Sequence, residues 1–343
     1  MSPENYRFDV SEFAPRRIFD MITEVRVSNP EVVMPQAAAR RKRTRLTKDG
    51  KLTLLACDHP ARGVTNSGSD PLIMGNKHEY LGRVLRIMTD LSFDGVMGPP
   101  DIIEDLLILD YLIQERGGES FLDDRVLLGC MQRGGVAGVV GEIDDRFGAY
   151  TAESLAAERL DGGKMMFRFV ADDERTLLTI DYCARAVTEL HRRGLYAFVE
   201  PLPQVFVDNR YKGNASVPIL VKLANVSAAL GESSQHTWLK ISYVQGFEQV
   251  VKATTLPLLM LGGEATGDIA PLLRDFANGM RAGGNVRGVL VGRNMLFPGD
   301  DDPLAAALAV HRIVHEGMSP EETVKQMAKD RDKNMDTLTR LFG

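Results

Sequence analysis

TWLKISYVQGFEQVVKATTLPLLMLGGE, residues 237–264, reads as strand, helix, strand. TWLKIS (237–242) and LPLLML (256–261) are short apolar runs, and the segment between them is long enough for a helical crossover. Strands joined in this way run parallel, because an antiparallel pair needs only a tight turn. Outward from this unit the pattern repeats. Upstream lie LTLLAC (52–57), DGVMG (94–98), RVLLGC (125–130), GKMMFRF (163–169) and YAFVE (196–200), and downstream lies RGVLVG (287–292). Amphipathic segments separate them, such as HEYLGRVLRIMTDL before the second run and IDYCARAVTELHRRG before the fifth. Eight strands alternating with helices predict an α/β chain closed into a (β/α)8 TIM barrel. An open, doubly wound dinucleotide-binding sheet would need a GxGxxG turn after an early strand, whereas the first run leads into Cys57-Asp58-His59-Pro60.

The barrel is expected over 51–343, ending in two helices, PLAAALAVHRIVHEG and SPEETVKQMAKDRDKNMDTLTRLF. The second opens with Ser319 as N-cap, then Pro320 and a capping-box acid. Residues 1–50 read as an N-terminal helical extension. Phe13, Ile18, Ile22 and Val25 have helical spacing, and a second short helix runs into the basic stretch Arg40–Arg45, expected to be a solvated face.

The 343 residues carry a net charge of −6, without the basic excess a nucleic-acid surface needs. The apolar runs are strand-sized, and the N-terminus MSPENYRFDV resembles no signal peptide, so a cytoplasmic protein without a membrane span is expected. Cys57, Cys130 and Cys183 form no CxxC and read as small buried hydrophobes. The six histidines show no HxH or HExxH spacing, which argues against a zinc site; no metal and no cofactor is expected.

In such barrels chemistry sits where strands end in polar residues. Asp58 and His59 end the first strand, Gln132 and Arg133 follow the third, Lys164 and Arg168 lie on the fourth, Glu200 ends the fifth, and Lys240 and Ser242 lie on the sixth. Gly262 and Gly263 follow the seventh strand, and Gly292 and Arg293 the eighth. Bare amides beside a guanidinium at these two adjacent ends suit a phosphate, with Asn294 opening a short helix whose positive end adds to the site. Alternation puts Trp238, Lys240 and Ser242 on one face and Leu239 and Ile241 on the other. An inward Lys240, its pKa lowered by burial and by Lys164, would supply the neutral amine a Schiff base requires. The alternative is an outward lysine, or one that only holds an anion. Lys164, Met166 and Arg168 share a face, so Arg168 is expected inward and nearer the mouth. There, possibly with Arg133, it would clamp a carboxylate on the aldehyde fragment, or else form an ion pair with Glu200.

The stretches WLKISYVQGFEQVVKATTLPLLMLGGE and RGVLVGRNMLF resemble the class I, Schiff-base aldolase superfamily. That superfamily includes archaeal-type fructose-bisphosphate, tagatose-bisphosphate and sulfofructose-phosphate aldolases and the autoinducer-2-phosphate thiolase. The resemblance covers roughly Leu52 to Phe297. It implies an imine at Lys240, phosphate at Gly262, Gly263, Gly292 and Arg293, and an Asp58–His59 pair after strand one. DGGKMMFRF and FVEPLP resemble the tagatose-bisphosphate and sulfofructose-phosphate branch, implying catalytic roles for Lys164 and Glu200. Archaeal-type members place a proton-donating tyrosine where this chain has Arg168, a departure that leaves the general acid open. The resemblance implies a small phosphorylated sugar as substrate, dihydroxyacetone phosphate as a product and a homo-oligomer. The long N-terminal extension resembles that of bacterial proteins of inositol catabolism, which split 5-dehydro-2-deoxy-6-phosphogluconate. A fructose- or tagatose-type substrate, an acyl-transferring thiolase and a non-catalytic sugar-phosphate-binding barrel are the alternatives.

Overall fold

A computed structural model describes residues 6–132, 136–139, 141–265 and 267–343. Its strands are β1 (Leu52–Ala56), β2 (Gly95–Gly98), β3 (Val126–Cys130), β4 (Gly162–Phe169), β5 (Tyr196–Val207), β6 (Thr237–Ser242), β7 (Leu258–Leu261) and β8 (Val286–Val291). Each pairs in parallel with the next, and β8 pairs with β1. The sheet therefore closes into the expected (β/α)8 barrel.

Strand alternation sorts the core into two layers. Leu52, Leu54, Leu128, Phe198, Trp238 and Leu290 fill the barrel, while Leu55, Val96, Leu127, Val199, Leu239 and Ile241 face the surrounding helices. Among the described residues no helix is long and apolar enough to cross a membrane. All three cysteines are buried and free.

β5 runs seven residues beyond the expected end at Glu200, to Val207, and pairs with Arg210–Gly213 as an antiparallel hairpin. Pro201 and Pro203 hid this extension, since prolines normally punctuate a strand. Asp208 and Asn209 make the turn with φ of 54° and 57°. The expected final helix spans Pro320–Asp330, with Ser319 Oγ accepting from the Glu322 amide, and a separate turn, Thr339–Phe342, closes the chain.

The N-terminal helices, Val10–Phe13, Arg17–Ser28 and Val33–Ala39, bury Phe13, Ile18 and Ile22 in the same core as the barrel helices. The basic stretch that follows is not the solvated face its composition suggested. Arg40 is buried and donates to the carbonyls of Arg125 (2.9 Å) and Arg159 (2.8 Å). Arg43 pairs with Asp94 at 2.8 Å, and Lys42 with Asp161 at 3.2 Å. Asp94, Arg125 and Asp161 immediately precede β2, β3 and β4, so the run caps the N-terminal end of the barrel. Its partners come from chain segments distant in sequence, which charge counting along the chain does not reveal.

His315 belongs to the same end. Its Nδ1 lies 2.8 Å from Asp49 and its Nε2 3.1 Å from Asp94. Burial lowers its pKa, but the two carboxylates outweigh this and raise it, while Asp94 is pushed down to about 2. A histidine with a raised folded pKa contributes stability that is fully present below its unfolded value and is lost as pH rises through the folded one. His315→Gln should therefore cost about 1–3 kcal/mol near pH 6 and much less near pH 9. Urea unfolding of parent and variant at the two values tests this, and an equal loss at both would refute the ionic account.

Candidate active site

Four charged side chains, all at least nine-tenths buried, meet at the C-terminal mouth: Asp58 after β1, Lys164 on β4, Glu200 on β5 and Lys240 on β6. Lys164 Nζ lies 3.2 Å from Asp58 Oδ2 and 2.6 Å from Glu200 Oε2. Lys240 Nζ donates to the same Glu200 oxygen at 3.1 Å. One carboxylate oxygen thus joins the two lysines, and Lys164 links both carboxylates.

The electrostatics separate the two lysines. Burial alone would lower both, but Asp58 and Glu200 on either side raise Lys164, which stays an ammonium. Lys240 has Glu200 as its one close carboxylate and Lys164 as an opposing cation; burial prevails and its pKa falls. Burial would raise Glu200, yet Lys164 and Lys240 hold it down at about 2. Asp58 lies well below the usual carboxylate range because Lys164 and Arg62 outweigh its burial. Asp58 Oδ1 is buried and accepts no hydrogen bond among the described residues.

The ends of β7 and β8 are bound together. Asn294 Nδ2 donates to the carbonyls of Gly262 (2.7 Å) and Glu264 (3.1 Å). Gly263 has φ +66°, and a Cβ on Gly292 would stand 2.4 Å from the Ala56 carbonyl and 2.8 Å from the His59 ring. Both turns therefore require glycine. The expected short helix is a single turn, Arg293–Leu296. Among the described residues Arg293 Nε is buried without a hydrogen-bond partner, and burial and nearby Arg62 weigh on its charged form. A guanidinium left this way suits an anion, and such a contact is worth about 1.5–3 kcal/mol. Arg293→Ala should raise KM for a phosphorylated substrate about ten- to hundredfold with little change in Tm. Unaltered KM would place the phosphate elsewhere.

Two candidates are turned to other work. Arg168 is inward and buried as expected, but its Nε pairs with Asp145 at 2.9 Å and its Nη1 with Glu142 (3.0 Å) and Gln204 Oε1 (3.1 Å). The fork expected to clamp a substrate carboxylate is filled by the protein, and its acidic partners are these rather than Glu200. Gln132, expected to bind substrate, uses its amide to donate to the Asp145 carbonyl at 2.8 Å and to accept from the Met166 amide. Both hold the segment between β3 and β4. Arg133 lies outside the described residues. Ser242 lies half-buried at the end of β6 on the face of Lys240. His59 is buried beside Gly292, its Nδ1 3.8 Å from Asp58 Oδ1, and burial with nearby Arg62 lowers its pKa well below normal, so the ring is neutral.

Arg62 and Cys130 were missed. Arg62 ends the turn Pro60–Arg62 and brings its Nε within 3.7 Å of Asp58 Oδ2. Cys130, pushed up to about 12 by burial and Asp58, lies 3.9 Å from the same oxygen. The only signal for Arg62 was a cation four residues after Asp58, which periodicity does not single out.

One solved structure similar in fold is an archaeal fructose-1,6-bisphosphate aldolase with its catalytic lysine covalently bound to the carbinolamine intermediate of the substrate. It shares the fold at TM-score 0.54 and 19% identity, over 82% of this chain and 99% of that one. The sequence pattern of the Cgl0159-like family matches residues 50–311, and this chain belongs to that family. The crystal structure of Cgl0159 from Corynebacterium glutamicum superposes with TM-score 0.82 at 33% identity, covering 89% of this chain and 99% of that one. A stretch of 110 residues is 31% identical to 2-amino-3,7-dideoxy-D-threo-hept-6-ulosonate synthase 1 of Archaeoglobus fulgidus, spanning 32% of this chain and 40% of the synthase.

Proposed function

We propose that this protein is a Schiff-base carbon–carbon lyase that cleaves, or in reverse joins, a phosphorylated ketose at Lys240. The observation that carries this reading is the shared Glu200 oxygen, 2.6 Å from one buried lysine and 3.1 Å from another. The arrangement leaves Lys164 a cation and makes Lys240 the amine that can be neutral.

Neutral Lys240 adds to the ketose carbonyl to give a carbinolamine, which loses water to form an iminium ion. Glu200, ionised and bonded to Nζ, takes the proton that the adding amine sheds and passes it to the carbinolamine oxygen; the ammonium of Lys164, on the same carboxylate oxygen, supplies the second proton that leaves with the water and recovers it when the imine is hydrolysed. Asp58 Oδ1, which accepts no hydrogen bond among the described residues, receives the proton of the hydroxyl on the carbon beyond the scissile bond. As that bond breaks, its electron pair moves to the iminium nitrogen, leaving an enamine and releasing an aldehyde. Reprotonation of the enamine carbon and hydrolysis of the imine free the second product and restore Lys240. A phosphate at Gly262, Gly263, Gly292 and Arg293 fixes the ketose and turns binding into orientation. Dihydroxyacetone phosphate is the product held as the enamine. Among substrates, the keto-sugar acid 5-dehydro-2-deoxy-6-phosphogluconate of inositol catabolism is the leading choice, ahead of fructose-, tagatose- or sulfofructose-type phosphates.

Incubation with dihydroxyacetone phosphate and borohydride tests the reading. A reduced adduct should appear on Lys240 by peptide mass mapping; an adduct on Lys164, or none, would overturn it.

A further inference from the structure

Arg62 is the guanidinium in the mouth that the chemistry above does not use. Its side chain is four-fifths buried, at 18% exposure, yet no oxygen lies within hydrogen-bond distance of it among the described residues. Its Nε stands 3.7 Å from Asp58, and Nη1 meets only the Met166 thioether at 3.4 Å. Five donors of a buried guanidinium seldom go without oxygen acceptors, because the charge has already lost its water. The backbone around it is fixed: the Arg62 amide donates to the His59 carbonyl (3.0 Å), and the Arg62 carbonyl accepts from the Ala137 amide (2.9 Å).

Its position gives the missing acceptor a location. Arg62 starts from the end of β1, but its tip lies against Met166 on β4, which stands across the barrel from β8 in the strand order. A ketose held by its phosphate at the ends of β7 and β8, with its carbonyl carbon at Lys240 on β6, must send its remaining carbons away from β8. They pass the Lys164–Asp58 pair and reach Arg62. Arg168, the other arginine on that side, already has protein carboxylates on Nε and Nη1.

We propose that Arg62 is a specificity-determining residue: it receives an anionic group, carboxylate or phosphate, on the fragment that leaves as the aldehyde. This rests on the proposed Lys240 chemistry and assigns the second anion of such a substrate to Arg62, while Arg293 holds the first.

The synthesis direction tests it, with dihydroxyacetone phosphate as donor and three acceptors: succinic semialdehyde, D-glyceraldehyde 3-phosphate and neutral D-glyceraldehyde. The parent should prefer at least one anionic acceptor by about tenfold or more in kcat/KM, and which one identifies the anion. In Arg62→Met that ratio should fall towards unity, and Arg62→Lys, which keeps the charge but loses the fork, should lie between. Borohydride trapping of dihydroxyacetone phosphate on Lys240 is the control. A parent that forms the adduct but shows no preference refutes the inference about Arg62 alone, whereas a parent that forms no adduct refutes the Lys240 reading beneath it. Variants that lose activity equally on all three acceptors also overturn the inference. So does an Arg62→Met protein that traps dihydroxyacetone phosphate poorly, since Arg62 would then serve the ketose phosphate. Should Arg62→Met fail to fold, the parent's preference and the Arg62→Lys ratio still decide the matter.

Discussion

Lys240→Met is expected to abolish the borohydride adduct and reduce turnover of the phosphorylated substrate by on the order of 10⁴-fold or more. The amine is the covalent group, and no neighbour can replace it. Lys164 is the nearest other lysine, but it is held as an ammonium by two carboxylates at 3.2 and 2.6 Å, and an ammonium has no lone pair to attack with. Methionine preserves most of the apolar stem, and removing one cation leaves Glu200 still paired with Lys164, so the variant should fold. Arg293-dependent substrate binding should survive in Lys240→Met, measurable by calorimetry with dihydroxyacetone phosphate. Residual turnover within about tenfold of the parent would mean that the lysine serves charge alone, as in non-covalent electrostatic catalysis.

Lys164→Met should strike stability and rate together. Lys164 is 1% exposed and links Asp58 to Glu200, so its removal leaves buried carboxylates short of a partner. Breaking a buried pair from one side costs about 3–5 kcal/mol. Loss of the proton relay among Asp58, Lys164 and Glu200 should reduce kcat by a further 10²–10⁴-fold, roughly. The pH dependence has a definite sign. In the parent, Glu200 lies at about 2, below its unfolded value, so its contribution is present above the ordinary carboxylate range and is lost as pH falls towards about 2. In the variant, burial is less opposed and the carboxylates shift upward, so acidification relieves them. The stability gap between parent and variant should be largest near pH 7 and shrink towards about pH 4.5 in urea titrations. A gap that stays constant would show that lost packing, rather than lost charge pairing, sets the cost.

The sequence legibly carried the scaffold and the inward-facing residues of the site. Each barrel strand is a run of residues whose side chains alternate with a period of two, and Lys164, Glu200 and Lys240 fall in phase with the interior Phe198 and Trp238. That phase is a local property, so it can be read without knowing what lies opposite. The glycines after β7 and β8 were legible as bare amides at two strand ends, and the positive φ of Gly263 acts on a single residue, whereas the close approach of Gly292 to Ala56 needed the closed barrel.

What only the tertiary structure decided is which charged groups meet. Lys164 and Lys240 look alike along the chain, and their opposite pKa shifts arise because Lys164 lies between two carboxylates while Lys240 touches one. Arg168 was legible as inward but not as occupied, because Asp145 and Glu142 arrive from the long connection between β3 and β4. Arg62 and the basic stretch Arg40–Arg43 followed the same rule in opposite directions: one became a largely buried cation whose Asp58 neighbour, at 3.7 Å, lies beyond hydrogen-bond distance, the other a set of cations bound to acids and carbonyls beneath the barrel. Periodicity fixes the direction in which a side chain leaves a strand, but Coulomb energy depends on the distance to partners brought by loop closure, and no local pattern in the chain encodes that distance.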